Sequence, residues 1–320
     1  MDKRAELGEF LRSRRARLRP EDVGLTHYGG RRRVPGLRRE ELAQLAGVSV
    51  AYYTRLEQGQ SQNASDAVLD AIARALNLDE GERAYLHGLA RPTPAARRRP
   101  RPERVRPGVR LMIESFGNAP AMVIGRRTDA LAWNGMAHAL IAGHLDVEAP
   151  ERPADRPNMA RLLFLDPHTR ELYADWRKKA RDAVAYLRLA AGRYPDDPAL
   201  TALVGELAMK SPEFAALWSA HPVGDCMHNT REYRHPLVGT LTLSEEVLPL
   251  PDDQGQRIMV WNAEPGSPSA AALRLLADLT AESAAGSRGL EGEMPARERS
   301  RADSGDCAAP GAPGRVVRPA

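Results

Sequence analysis

The chain has 320 residues, enough for two domains with cores of their own, and a formal net charge of +4. Two cysteines, Cys226 and Cys307, exclude a disulfide-built scaffold, and no run of about 18 apolar residues is present to span a membrane. Met1 is followed by charged residues rather than an apolar run, so no secretory leader is expected and the cytoplasm is the expected compartment.

The charge is unevenly placed. Residues 1–110 carry 23 Lys/Arg against 14 Asp/Glu, and the remainder carries 23 against 28. A basic front half joined to a slightly acidic back half suits a nucleic-acid-binding domain fused to one that does not bind nucleic acid.

In chain order, residues 6–18 predict a helix with Leu7, Phe10, Leu11 and Leu18 as its inward stripe, ended by Pro20. An irregular loop, 21–36, follows and holds Arg31, Arg32 and Arg33. Two readings stand for that triplet: a solvated basic loop, or an arm that contacts phosphates or enters a minor groove. Residues 37–59, LRREELAQLAGVSVAYYTRLEQG, then predict a helix over 38–46, a turn at 47–49 and a second helix over Val50–Glu57. Leu42, Leu45 and Ala46 would face inward on the first, Tyr53 and Leu56 on the second. Gly47 suits a left-handed turn and Ser49 suits an N-cap. This is a helix-turn-helix, whose second helix reads a DNA major groove. Helices over 65–76 and 79–90 complete a compact all-α domain.

Residues 91–108 contain five prolines and seven arginines and keep no amphipathic period, so they read as a linker that leaves two domains free to move, or alternatively as a basic strap that trails along DNA. Beyond it come a helix at 109–116 and short apolar strands at 121–125 and 130–134 around an Arg-Arg-Thr-Asp hairpin. Helical segments follow at 136–142, 158–165, 169–176, 174–194, 198–209 and 212–220. Strand periodicity returns at 227–235, 238–247 and 257–263, with Leu241 and Leu243 on one face and Thr240, Thr242 and Ser244 on the other. A last helix, 269–280, precedes a Gly-, Ser-, Pro- and Arg-rich tail that reads as disordered from residue 283. The expected fold is an all-α helix-turn-helix domain (1–91), a Pro/Arg linker (92–108) and an α+β domain (109–282) with a five-stranded antiparallel sheet and inserted helices.

The stretch 37–59 resembles the phage-repressor-like (XRE-type) helix-turn-helix family, with Ala43, Gly47, Tyr53 and Leu56 at its core positions. The whole chain is similar to the MmyB-like transcription regulators of actinobacteria. The resemblance is carried by GGRRRVPGLRREELAQLAGVSVAYYTRLEQGQ, LLFLDPHTRELYADW, PDDPALTALVGELAMKSPEFAALW, RHPLVGTLTL and PDDQGQRIMVWNAEPGSPSAAALRLL. It implies a PAS-like second domain that binds a small apolar ligand, fatty acids being the associated class. Residues 223–230, VGDCMHNT, depart from the basic stretch expected there. The resemblance also implies that Glu57 pairs with a first-helix arginine, here Arg15.

With Tyr53 and Leu56 turned inward, Ser49, Val50, Ala51, Tyr52 and Arg55 remain on the groove-facing side. Arg55 can bind guanine O6 and N7 together or spend itself in a surface ion pair. Val50 and Ala51 suit a thymine methyl, and Ser49 and Arg39 suit phosphate contacts that set register. In the second domain, Met122, Trp133, Leu140, Trp218 and Trp261 are either pocket lining or ordinary core. Asn134, Arg234 and His235 are candidates to hold a carboxylate head group. His221, Cys226, His228 and His235 match no tight zinc spacing, and no nucleophile elbow, phosphate loop or dinucleotide fingerprint occurs, so neither metal, cofactor nor enzymatic activity is expected. The expected function is a sequence-specific transcriptional regulator that binds double-stranded DNA as a homodimer and senses an apolar ligand. The alternative is a helix-turn-helix protein whose second domain is a protein-interaction or dimerisation module without ligand.

Overall fold

The computed structural model describes residues 3–25, 36–60, 64–90, 103–224, 227–251 and 255–291. The first domain is built from α1 (Lys3–Arg17), α2 (Arg39–Leu45), α3 (Val50–Glu57), α4 (Asp66–Ala75) and α5 (Glu80–Ala90). Serines open two of these helices. Tyr52 N–H donates to Ser49 Oγ at 3.1 Å on α3, and Val68 N–H to Ser65 Oγ at 3.4 Å on α4. Gly47 turns the chain between α2 and α3 at φ +66°, where a side chain would be strained. Leu7, Phe10 and Leu11 of α1 share one core with Leu42, Tyr53, Leu56, Leu69, Ile72 and Leu86. Leu45 departs from expectation: it is 37% exposed, while Leu42 and Ala43 of α2 and Ala46 just after it are buried. Arg31, Arg32 and Arg33 lie outside the described residues.

The second domain follows the predicted strand–helix–strand order. Its elements are α6 (Pro107–Ser115), β1 (Ala121–Ile124), β2 (Ala130–Trp133), α7 (Gly135–Ala142), α8 (Met159–Leu165), α9 (Pro167–Leu172), α10 (Trp176–Arg193), α11 (Pro198–Lys210), α12 (Pro212–Ser219), β3 (His228–His235), β4 (Gly239–Pro249), β5 (Arg257–Asn262) and α13 (Pro268–Glu291). The last helix therefore runs past residue 283, where a disordered tail was expected to begin; residues 292–320 lie outside the described residues. The five strands form one antiparallel sheet in the order β2-β1-β5-β4-β3. The chain's last strand thus lies in the middle, with Met259 opposite Met122 on one side and Val247 on the other. One sheet face carries α6 through Val109 and Ile113. The other packs on α7 to α12 in the largest core.

Of the expected linker, residues 92–102 lie outside the described residues. Glu103 is buried, Arg156 Nη1 donates to its carbonyl at 2.9 Å, and Gln256 Nε2 donates to the Arg104 carbonyl at 3.1 Å, so the second domain takes hold of the chain ahead of residue 107. Described side chains of the two domains also meet directly. Arg188 of α10, 1% exposed, donates through Nη1 to Glu6 Oε1 of α1 at 3.2 Å, and Tyr85 of α5 donates to the same oxygen at 2.6 Å. Gly192 of α10 lies so close to the Tyr85 ring that an added Cβ would sit 2.3 Å from it. Val223, from the segment after α12, is buried in the first domain's core.

Candidate DNA-reading helix and ligand cavity

The outward side of α3 holds Ser49, Val50, Ala51 and Arg55 exposed, with Tyr52 half-buried beside them. What holds that helix is underneath. Glu57, 1% exposed, accepts Arg15 Nε at 3.0 Å and Arg15 Nη2 at 2.9 Å, so the first-helix partner is the one the resemblance implied. Burial alone would push the Glu57 carboxyl up, but Arg15 and Arg39 outweigh it and hold the group below the ordinary carboxylate range. Arg39 donates to Glu57 through Nε at 3.1 Å and Nη2 at 2.9 Å. That guanidinium, assigned to phosphate from sequence, already braces α2 against α3. Gly8 of α1 makes a further close approach, since a Cβ there would meet the Glu57 carbonyl at 2.2 Å. The exposed face is thus carried on a helix clamped from behind by α1 and α2.

The second site is a cavity of about 90 Å³ between the sheet and α8 and α10. Its apolar wall includes Met122, Ile124, Leu163, Val247, Met259 and Trp261. Its polar side is a charge network. Lys179 Nζ donates to Glu245 Oε1 at 2.8 Å, Arg231 Nε to Glu245 Oε2 at 2.7 Å, and Arg231 Nη2 to Asp182 Oδ2 at 2.7 Å. Burial disfavours the Glu245 carboxylate, yet Lys179 and Arg231 together pull its carboxyl below the ordinary range. Glu245 in turn raises Lys179 against the effect of burial. Trp261 of the wall donates through Nε1 to the Tyr233 hydroxyl at 2.8 Å.

Of the lining residues named from sequence, Met122 and Trp261 reach this cavity. The others are employed elsewhere. Trp133 donates to the Val147 carbonyl at 2.8 Å, Leu140 is buried in the core, and Trp218 stacks on Phe214 and under the Arg188 guanidinium. Asn134 caps α7 and donates to the Ile113 and Ala119 carbonyls, so it ties loops together. Arg234 points to the opposite side of β3 and is exposed, and His235 bonds the Ala139 carbonyl at 3.0 Å. Two of the histidines considered as metal ligands are likewise committed apart, His221 to Glu9 at 2.9 Å and His235 to α7. Cys226 lies outside the described residues.

The charged cavity residues that sequence reasoning did not name are Lys179, Arg231 and Glu245. A signal for them existed. Leu241, Leu243, Glu245 and Val247 share the buried face of β4, as Arg231, Tyr233 and His235 share that of β3. Lys179 stands on α10 at helical spacing from Ala183 and Tyr186, which also line the cavity. A charge on an otherwise apolar stripe needs a buried partner, and two such stripes of opposite sign mark a site.

Comparison with known families agrees with this division. The model of the MmyB-like transcription regulator ligand-binding domain matches residues 105–276, over half of the chain, and that of a helix-turn-helix domain matches residues 6–86. No curated protein matches the chain.

Proposed function

The chain belongs to the MmyB-like transcription regulators and joins a DNA-binding domain to a ligand-binding domain; from that premise we propose that it is a cytoplasmic, homodimeric, sequence-specific regulator whose cavity senses a fatty acid. The observation that supports this reading is the make-up of the cavity, apolar along the sheet and cationic at Lys179 and Arg231. An acyl chain suits the first and a carboxylate the second. At about 90 Å³ the cavity is well below the roughly 300–1,000 Å³ of usual ligand sites, so a ligand enters by pushing the walls apart and displacing Glu245 or Asp182 from its cations. On the DNA side, Arg55 reads a base, Val50 and Ala51 meet a thymine methyl, and Arg31, Arg32 and Arg33 add phosphate contacts. Two copies on paired half-sites supply the specificity that a single short helix lacks.

Calorimetric titration of the full chain with sodium decanoate is expected to saturate. At a hundredfold excess over Kd, decanoate adds about 2.7 kcal/mol to stability and raises Tm. Lipid extraction of the purified protein that yields no fatty acid, together with an unchanged Tm, sinks the ligand and leaves the second domain as an interaction module.

A further inference from the structure

We propose that α10 is the element that passes the state of the cavity to the DNA-reading helix, with Arg188 as its coupling residue; the inference rests on the sensing role proposed above. The helix has two working stripes. Lys179, Asp182, Ala183 and Tyr186 line the cavity, whereas Ala185, Arg188, Leu189 and Gly192 meet the first domain or the cleft beside it. At 3.6 residues per turn these stripes lie about a third of a turn apart, so a wall displaced on one side moves the docking surface on the other.

The route beyond α10 is a chain of direct contacts. Arg188 holds Glu6 of α1, and its guanidinium lies 4.1 Å over the Trp218 ring while Nη2 bonds the Trp218 carbonyl. The same α1 carries Gly8 and Arg15, which fasten the C-terminal end of α3 through Glu57. Cavity, α10, α1 and α3 therefore form one continuous series of packed and charge-paired groups. The docking also has room to change. Beside the tight Gly192–Tyr85 approach a cleft of about 1120 Å³ opens between α5 and α10, edged by Arg17, Glu80, Asp182 and Arg193. Asp182 borders both this cleft and the cavity, and its partner Arg231 is the cation that a ligand head group would engage. An entering anion that took Arg231 would release Asp182 toward the interface between the domains.

The test needs no ligand. The full chain is assayed at one salt concentration on the genomic fragment it enriches most. Ala183→Leu, which fills the cavity from α10, is expected to change affinity for that fragment at least fivefold, within the usual range of allosteric coupling. Gly192→Ala, which wedges α10 from Tyr85, is expected to cut that response below twofold in the double variant. If the two changes combine additively within about twofold, or if filling the cavity leaves affinity unchanged, the proposal is overturned. Ala160→Leu fills the cavity from α8 and replaces Ala183→Leu should that variant fail to show a cooperative melt. Decanoate titration of the same proteins decides the sensing role separately. Saturable binding lost in Ala183→Leu supports it, and absent binding to the unaltered chain refutes it whatever the mutational arm returns.

Discussion

The outward face of α3 and the cavity under the sheet hold their polar side chains in opposite conditions. On α3, Val50, Ala51 and Arg55 stand in solvent, and the ion pairs that fix them lie behind, on Glu57. In the cavity the charges themselves are engaged: Lys179 and Arg231 are held by Glu245 and Asp182. The difference suits the partners proposed for the two sites. DNA offers a groove of nearly constant shape, so a surface built for it can be finished before it binds. A small molecule inside a core must replace contacts already made, and a site of that kind is closed until it is occupied.

The largest test of the comparison removes the clamp behind the reading face. Glu57→Ala leaves Arg15 beneath α3 without its carboxylate partner, and urea unfolding is expected to show a loss of about 3–5 kcal/mol. Acid should mimic this. The folded Glu57 and Glu245 carboxyls are held below the ordinary range, so their contribution is complete above the unfolded value of about 4.3 and is lost as pH falls through the folded ones. Melting curves should drop steeply below that pH in the unaltered chain and less so in Glu245→Gln. Next in size, Arg55→Ala is expected to cost roughly 1–3 kcal/mol at the specific site with little change in stability; gel shifts showing full discrimination would displace Arg55 from base reading. Ser49→Ala, which removes the α3 cap, should cost about 1 kcal/mol in unfolding. Smallest, Arg234→Ala should leave decanoate binding and stability within about 0.5 kcal/mol, because that side chain is on the solvent face of β3. A clear loss of ligand affinity there would mean that the cavity extends around the sheet edge.

Legibility differed between the two sites for a local reason. The helix-turn-helix is specified by residues within a few positions of one another: Gly47 for the turn, Ser49 for the cap, Tyr53 and Leu56 for the inner stripe. Subtracting that stripe leaves the outward face. The exposure of Leu45 and the pairing of Arg39 with Glu57 were not legible, because they come from the packing of α2 on α3 and from a residue 18 positions along the chain from Arg39. The cavity's local signature is slight, a single charge on each of two otherwise buried strand stripes. Its lining is spread along the second domain from Met122 to Trp261: Trp133, Trp218 and Asn134 lie outside it, in loop closure and domain docking, whereas Lys179, Arg231 and Glu245 meet only when β3, β4 and α10 are brought together.

By itself the sequence determined the order of helices and strands, because side-chain periodicity, caps and prolines act within a turn or a strand. It also put Ser49, Val50, Ala51 and Arg55 on the outward face of α3, since what is not needed for the inner stripe points outward. Only the tertiary structure decided where the buried charges meet and that the two domains dock through Arg188, Glu6 and Tyr85. Those contacts join groups far apart in the chain, and their energy depends on burial and geometry that no single segment encodes.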